Sequence, residues 1–268
     1  MKASPALALS VSGPQAAGGR TGRRALWHGV FLVCFFGLWE WGGRSGFLNP
    51  LMFGEPSQIG VFLWRGFITQ GNLWLDLGYT VAGTLISFAL GSVAAIVLGL
   101  LFTHWPPAER AMDPYLTVIN AMPRFALVPL FLLWFGLGIG SKIAMGTSLS
   151  FFIVLASTVA GMRGVPPDFL TLSRSLGATP MQLFFKVTLP SAVPVIFSGL
   201  RLGLIFAMLG VVGAEIIAAE HGLGQQLAFL QSTFNMNGVM ALLFLLAGLG
   251  MLVTKGMERI EQGLLRWQ

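Results

Sequence analysis

The sequence predicts an all-α membrane protein of about six transmembrane helices, with both termini on the cytoplasmic side. Three observations predict it. Of the 268 residues, 55% are hydrophobic and only 10% charged, whereas soluble domains carry about 25% charged residues. The apolar residues fall into stretches long enough to cross a bilayer. Small residues recur every fourth position along two of those stretches, as close helix packing in lipid requires. The 35 glycines agree with this class, since Gly is more frequent in membrane helices than in soluble ones.

Residues 1–24 are rich in Ala, Ser, Gly and Pro and end in Arg20, Arg23 and Arg24. They are expected to form a disordered cytoplasmic tail ahead of a membrane domain over 25–268. A cleaved signal peptide is the rival reading. The apolar run that follows is a full span, however, and no small-residue cleavage site closes it. A bilayer core needs about 20 apolar helical residues, and six stretches qualify: 25–43, 75–103, 115–136, 142–162, 193–219 and 238–256. Between the first two, Pro56-Ser57 opens an apolar-rich stretch to Thr69, with Val61, Phe62, Trp64 and Phe67. It is too short to span and is expected to lie at the outer surface.

Orientation follows from Lys and Arg in the flanks. With the N-terminus inside, the inner segments carry Lys2, Arg20, Arg23, Arg24, Arg110, Arg163, Arg174, Lys186, Lys255, Arg259 and Arg266, against Arg44, Arg65 and Lys142 outside. Trp39, Trp41 and Trp74 then fall at the outer interface. The net charge of +6 is spread over span ends and forms no patch for nucleic acid. The single Cys34 cannot form an internal disulfide and reads as a packing or lipid-facing residue. No His/Cys/carboxylate group has metal spacing, and no nucleophile–base set marks an enzyme.

In the second span Gly83, Ser87, Gly91, Ala95 and Gly99 share one face. In the fifth, Gly199, Gly203 and Ala207, then Gly210, Ala214 and Ala218, repeat the pattern. These rows mean packing.

Ionisable groups inside spans are costly and are functional candidates by default. Thr117, Asn120 and Arg124 lie at i, i+3 and i+7 on one face of the third span, flanked by Pro123 and Pro129. That face could line a pathway and meet an anion through Arg124; alternatively Arg124 satisfies carbonyls freed by the prolines or pairs with a carboxylate. Arg201 reads as snorkelling inward or bridging two helices. Glu215 lies fourteen residues later, about 21 Å along a helix, so the two cannot pair within it. Glu215 sits near the outer end with Glu220 and His221, as part of an outer gate or partner contact, or beside two solvated loop residues. Ser148, Ser150, Ser157 and Thr158 are expected to bond their own helix backbone, and Glu40, between two tryptophans, to be wetted.

The segment 165–194, VPPDFLTLSRSLGATPMQLFFKVTLPSAVP, spells two short helices. Asp168 can cap one that runs through Leu176, and Gly177 suits its left-handed C-terminal cap. Thr179 caps a second, with Pro180 at its first position. Pro190 and Pro194 mark its end and the entry to span five. By these residues alone, an amphipathic hairpin on the membrane surface and a docking loop for a partner fit equally well.

Gly177, nine residues, then Val187-Thr188-Leu189-Pro190 resembles the signature loop of binding-protein-dependent ABC importer permeases: Glu-Ala-Ala, three residues, Gly, nine residues, Ile, any residue, Leu-Pro. PLFLLWFGLG (129–138), Ser141-Lys142, TVAGMRGV (158–165), SLGAT (175–179), GLRLG (199–203) and AEIIAAEHGLG (214–224) are similar to the sulfonate/nitrate/taurine-type family, over roughly 50–268. The Glu-Ala-Ala positions are Thr171, Leu172 and Ser173 here, a departure that removes the acidic residue.

The resemblance implies a type I ABC importer permease of the bacterial inner membrane. Two permease copies, as a homodimer in the simplest case, would form the pathway. A dimer of ATP-binding subunits would dock on the loop at 166–190, with Asp168, Ser173, Arg174, Gly177, Ala178, Thr179, Leu189 and Pro190 at or near the contact. A periplasmic or lipid-anchored binding protein would deliver a small, anionic solute of the sulfonate, taurine, nitrate or bicarbonate class, or a heterocyclic vitamin precursor. The chain has no GxxxxGK[ST] phosphate loop, so ATP and Mg would belong to the partner, and no cofactor is expected in this chain. A channel or ion-coupled carrier working alone is the competing class; inverted repeats of broken helices would favour it, and none is visible.

Overall fold

The computed structural model describes residues 18–264. Residues 1–17 of the expected tail lie outside the described residues; positions 18–24 are already helical. The chain divides into two compact units, 1–57 and 58–268.

In the first unit α1 (Gly18–Arg44) covers the expected first span, and a short α2 (Pro50–Phe53) follows. Leu26, Val30, Phe31, Val33 and Leu38 are exposed on α1, as is Cys34. His28, Glu40 and Arg44 dilute its apolarity, and among the described residues α1 is not one of the helices apolar enough to cross. Glu40 is partnered and not merely wetted: it accepts from Arg44 Nε at 2.7 Å and from the Ser57 amide at 3.0 Å.

The second unit holds α3 (Pro56–Trp64, its first two residues belonging to the first unit) with a π-turn through Thr69, then α4 (Asn72–His104), α5 (Pro106–Ala121), α6 (Val128–Phe135) and α7 (Ile139–Arg163). There follow α8 (Pro167–Ser175), α9 (Pro180–Leu183), α10 (Leu189–Ile217), α11 (Leu223–Ser232) and α12 (Met236–Leu264). Among the described residues every regular element is helical, and four helical stretches are long and apolar enough to cross a membrane: α4, α7, α10 extended back to Pro180, and α12.

The expected third span, 115–136, is not one rod. It is α5 plus a 3-10 turn (Arg124–Leu127) and α6, bent by 89°. Pro123 explains the break. A residue before proline is pushed out of the α region, and Met122 is extended at φ −68°, ψ 136°. Counting the bent pair as one span gives up to five stretches long and apolar enough to cross among the described residues, beside the six expected.

The core of the second unit is α4, α7 and α10, and the rows of small residues make it. A Cβ placed on Gly99 would lie 2.7 Å from Thr158 Cγ2, one on Gly203 2.6 Å from Val154 Cγ2, and one on Gly210 2.8 Å from Gly146 Cα. Gly83, Ser87, Gly91, Ala95 and Gly99 are all buried. At one end of this core sits the α8–α9 loop. At the other, α11 packs Leu223, Leu227 and Leu230 against Leu73, Leu242 and Leu246.

Candidate functional site

Three assemblies carry the polar chemistry. The first is the α8–α9 loop. Helix α8 starts at Pro167, so Asp168 does not cap it but sits in its first turn, where a carboxylate suits the helix dipole. Helix α8 ends in a Schellman motif: Gly177 N–H donates to Arg174 O (2.9 Å) and Ala178 N–H to Ser173 O (3.1 Å), with Gly177 at φ +81°. Thr179 forms a full capping box with Gln182, a reciprocal pair that fixes where α9 begins.

Helix α9 does not stop at Pro190 as expected. A π-turn over Phe184–Thr188 leads straight into α10, with Leu189 at its first position, Pro190 in its first turn and Pro194 inside it. The π-turn shifts the backbone ladder, and the first turn of a helix tolerates a missing N–H. Phe184 and Leu189 anchor the loop on Met162, Ala192 and Ile196. Phe169, Leu172, Leu176 and Met181 remain exposed. Thr171, at the missing acidic position, turns its hydroxyl onto Pro167 O at 3.0 Å.

The second is the break between α5 and α6. Arg124 donates to the Ser148 carbonyl of α7 and to Asn120 Oδ1 (2.8 Å), and lies 4.2 Å from the Phe152 ring centroid. The carbonyl that engages the arginine belongs to α7, not to the turns that Pro123 and Pro129 open, and no carboxylate is its partner among the contacts above. Thr117 and Asn120 are exposed, next to exposed Tyr115, Val118 and Ile119. Ser148, Ser150 and Thr158 bond carbonyls of their own helix. Arg201 bridges helices, pairing with Glu258 (3.3 Å) and Glu261 on α12.

The third was only partly legible. Lys142 reads in sequence as an exposed orienting charge, but it is 1% exposed and forms an ion pair with the equally buried Glu215 at 3.3 Å. Its Nζ also donates to the His221 carbonyl. Thr80 Oγ1 lies 2.9 and 3.0 Å from the two Glu215 oxygens. Asp76 accepts from Gly222 N–H, Thr80 from Leu223 N–H and Glu215 from Gly224 N–H, each at 2.9 Å. His221 stacks on Tyr79 at 4.9 Å. Of the expected residues, Glu215 belongs here; Asp76, Thr80 and Tyr79 were missed. Asp76 is an ionisable residue inside the expected second span, 75–103, the signal that could have found it. A side chain at Gly222 (φ +122°) would strike the Glu215 carboxylate, so the turn's approach requires glycine. Among the described residues no group of three His, Cys, Asp or Glu could hold a metal.

Residues 91–266 match the family described as binding-protein-dependent transport system inner membrane component. The chain belongs to this family. It is a multi-pass inner-membrane transport permease, not an enzyme. The permease is 31% identical to a formylaminopyrimidine transport permease of Halalkalibacterium halodurans, covering 91% of this chain and 97% of that one. It is 30% identical to a putative aliphatic sulfonates transport permease of Bacillus subtilis, covering 100% and 98%. Its fold is similar to that of the methionine ABC transporter MetNI, with a TM-score of 0.63 and 22% identity over 72% of this chain and 98% of that one.

Proposed function

We propose that two copies of this permease form the pathway of an ATP-driven importer for a small organic solute, with the α8–α9 loop docking a separate ATP-binding subunit on the cytoplasmic side. The observation that carries the reading is the loop itself. Its termini are fixed by a Schellman turn and a capping box, its base is anchored in the core, and its tip presents Phe169, Leu172, Leu176 and Met181 to the outside. A hairpin that only rested on lipid would need the apolar residues but not so defined a turn. The loop shape depends on Gly177 and Thr179 and not on an acid at Thr171, so docking can persist without that charge.

A homodimer accounts for the face of α5. Thr117 and Asn120 lie exposed beside apolar residues, and polar groups facing hydrocarbon are costly. A pathway between two copies gives that face water instead. With Arg124 engaged by Ser148 and Phe152, anion selection falls to the binding protein, periplasmic or lipid-anchored, that delivers the solute. The relative named for aliphatic sulfonates supports an aliphatic sulfonate as substrate. The relative named for formylaminopyrimidine supports a heterocyclic precursor as the second reading.

The test is co-purification with a candidate ATP-binding subunit and a candidate binding protein. ATP hydrolysis should rise with the loaded binding protein, and uptake into proteoliposomes should require ATP. Uptake that persists without any ATP-binding subunit refutes the importer. Calorimetry of the binding protein with ethanesulfonate and with a formylaminopyrimidine decides between the two substrate readings.

A further inference from the structure

The first N–H groups of any helix lack intrahelical partners and need acceptors. Helix α11 cannot supply its own, because its N-cap is Gly222, which has no side chain. At ten residues it is also too short to be stable alone. The acceptors come instead from other helices. Three successive amides, Gly222, Leu223 and Gly224, are taken in order by Asp76 and Thr80 of α4 and by Glu215 of α10. Lys142, in the first turn of α7, supplies the counter-charge and ties in the His221 carbonyl. The positive end of the α11 dipole offsets part of the second carboxylate. Three core spans and the α10–α11 turn thus meet in one buried network, backed by the leucines of α11. The α5–α6 break is held differently: Arg124 donates to the Ser148 carbonyl of α7, Glu109 pairs with Arg163, Val128 packs on Met145 and Ala214, and no residue of α5 is buried.

We propose that Asp76, Thr80, Glu215 and Lys142 are positioning residues that cap α11 from outside and make it one rigid body with α4, α7 and α10 throughout the transport cycle, so that α11 does not swing as a gate. The transport arm of this inference rests on the importer reading; the exchange arm does not.

One protein in two redox states tests it. The Leu223 amide lies 2.9 Å from Thr80 Oγ1, which places the two Cα atoms within roughly 7 Å, the upper end of disulfide reach. In a Cys34→Ser background, Thr80→Cys with Leu223→Cys replaces the cap by a bond that can be made or reduced. In the full complex, the oxidised form should keep binding-protein-stimulated ATP hydrolysis and uptake of ethanesulfonate within about 2-fold of Leu223→Cys alone, which carries the same loss of a core leucine, and the reduced form should lose most of both. Oxidation that blocks transport, or a reduced form as active as Leu223→Cys alone, overturns the proposal.

The second arm is hydrogen exchange in the assembled complex carrying Lys142→Met. Amides over 222–232 should exchange at least about 10-fold faster, and by a larger factor than those over 189–200. Unchanged exchange over 222–232 also overturns it, whatever the transported solute proves to be. If the parent itself shows no ATP-dependent uptake while the exchange result holds, the importer reading fails and the cap stands.

Discussion

Replacing Lys142 by Met isolates the energetic weight of the buried ion pair. Met nearly conserves the volume of the lysine stem, so the change removes charge with little cavity. Both partners are about 1% exposed, 3.3 Å apart. Without Lys142, Glu215 keeps its bonds from Thr80 and Gly224 but loses its counter-charge, and the His221 carbonyl loses a donor. Removing one partner of a buried pair costs about 3–5 kcal/mol, whereas an ordinary hydrogen bond between membrane helices averages about 0.6 kcal/mol. The two magnitudes are far enough apart to decide. Equilibrium unfolding in detergent, followed by tryptophan fluorescence, should show Lys142→Met destabilised by about 3 kcal/mol or more, which is roughly a 100-fold larger unfolded fraction. Adding Glu215→Gln removes the stranded charge while keeping an acceptor. The double variant should therefore be more stable than the sum of the singles, by up to about 3 kcal/mol of coupling. A loss below about 1 kcal/mol for Lys142→Met, the range of exposed pairs, with strict additivity, would show that the pair is solvated and the reasoning wrong.

Further outcomes follow from the same geometry. Gly210→Ala should destabilise by about 1–3 kcal/mol, because its new methyl meets backbone atoms of Gly146 that cannot yield. The matched Gly248→Ala, which meets nothing within 4 Å, should be neutral or stabilising in the same unfolding assay. Gly177→Pro cannot adopt φ +81°; it should leave membrane insertion intact, as read by fractionation, and lower ATP-driven uptake at least about 10-fold. Arg124→Ala should lower stability by about 1.5–3 kcal/mol, the range for a hydrogen bond to a charged group, with the KM for uptake nearly unchanged. A large rise in KM with stability retained would place Arg124 on the solute instead.

Much of the fold could be read directly from residue order. Hydropathy located the membrane helices because lipid requires long unbroken apolar runs, and α4, α7, α10 and α12 lie within a few residues of the expected spans, except that α12 continues to Leu264. The caps at Gly177 and Thr179 were legible because a turn glycine and a capping box act within six residues. The bend at Pro123 was not, although the proline was seen: a proline can kink a span or end it, and only the packing of Arg124 on α7 chooses. The end of α9 was misread for a similar reason, since a π-turn absorbs Pro190 where sequence suggests a stop.

Residue order alone sets the solvent, the helices and the small residues that let them approach. Those properties depend on periodicity and local chemistry. Which charges meet is settled by the assembled fold. Lys142 and Glu215 are 73 positions apart, and a lysine at the start of an apolar run looks the same whether it faces water or a carboxylate. Helix α11, ten residues long and capped by side chains from two other helices, has no local signal strong enough to announce it. Its stability is non-local, so it exists only once α4, α7 and α10 have come together.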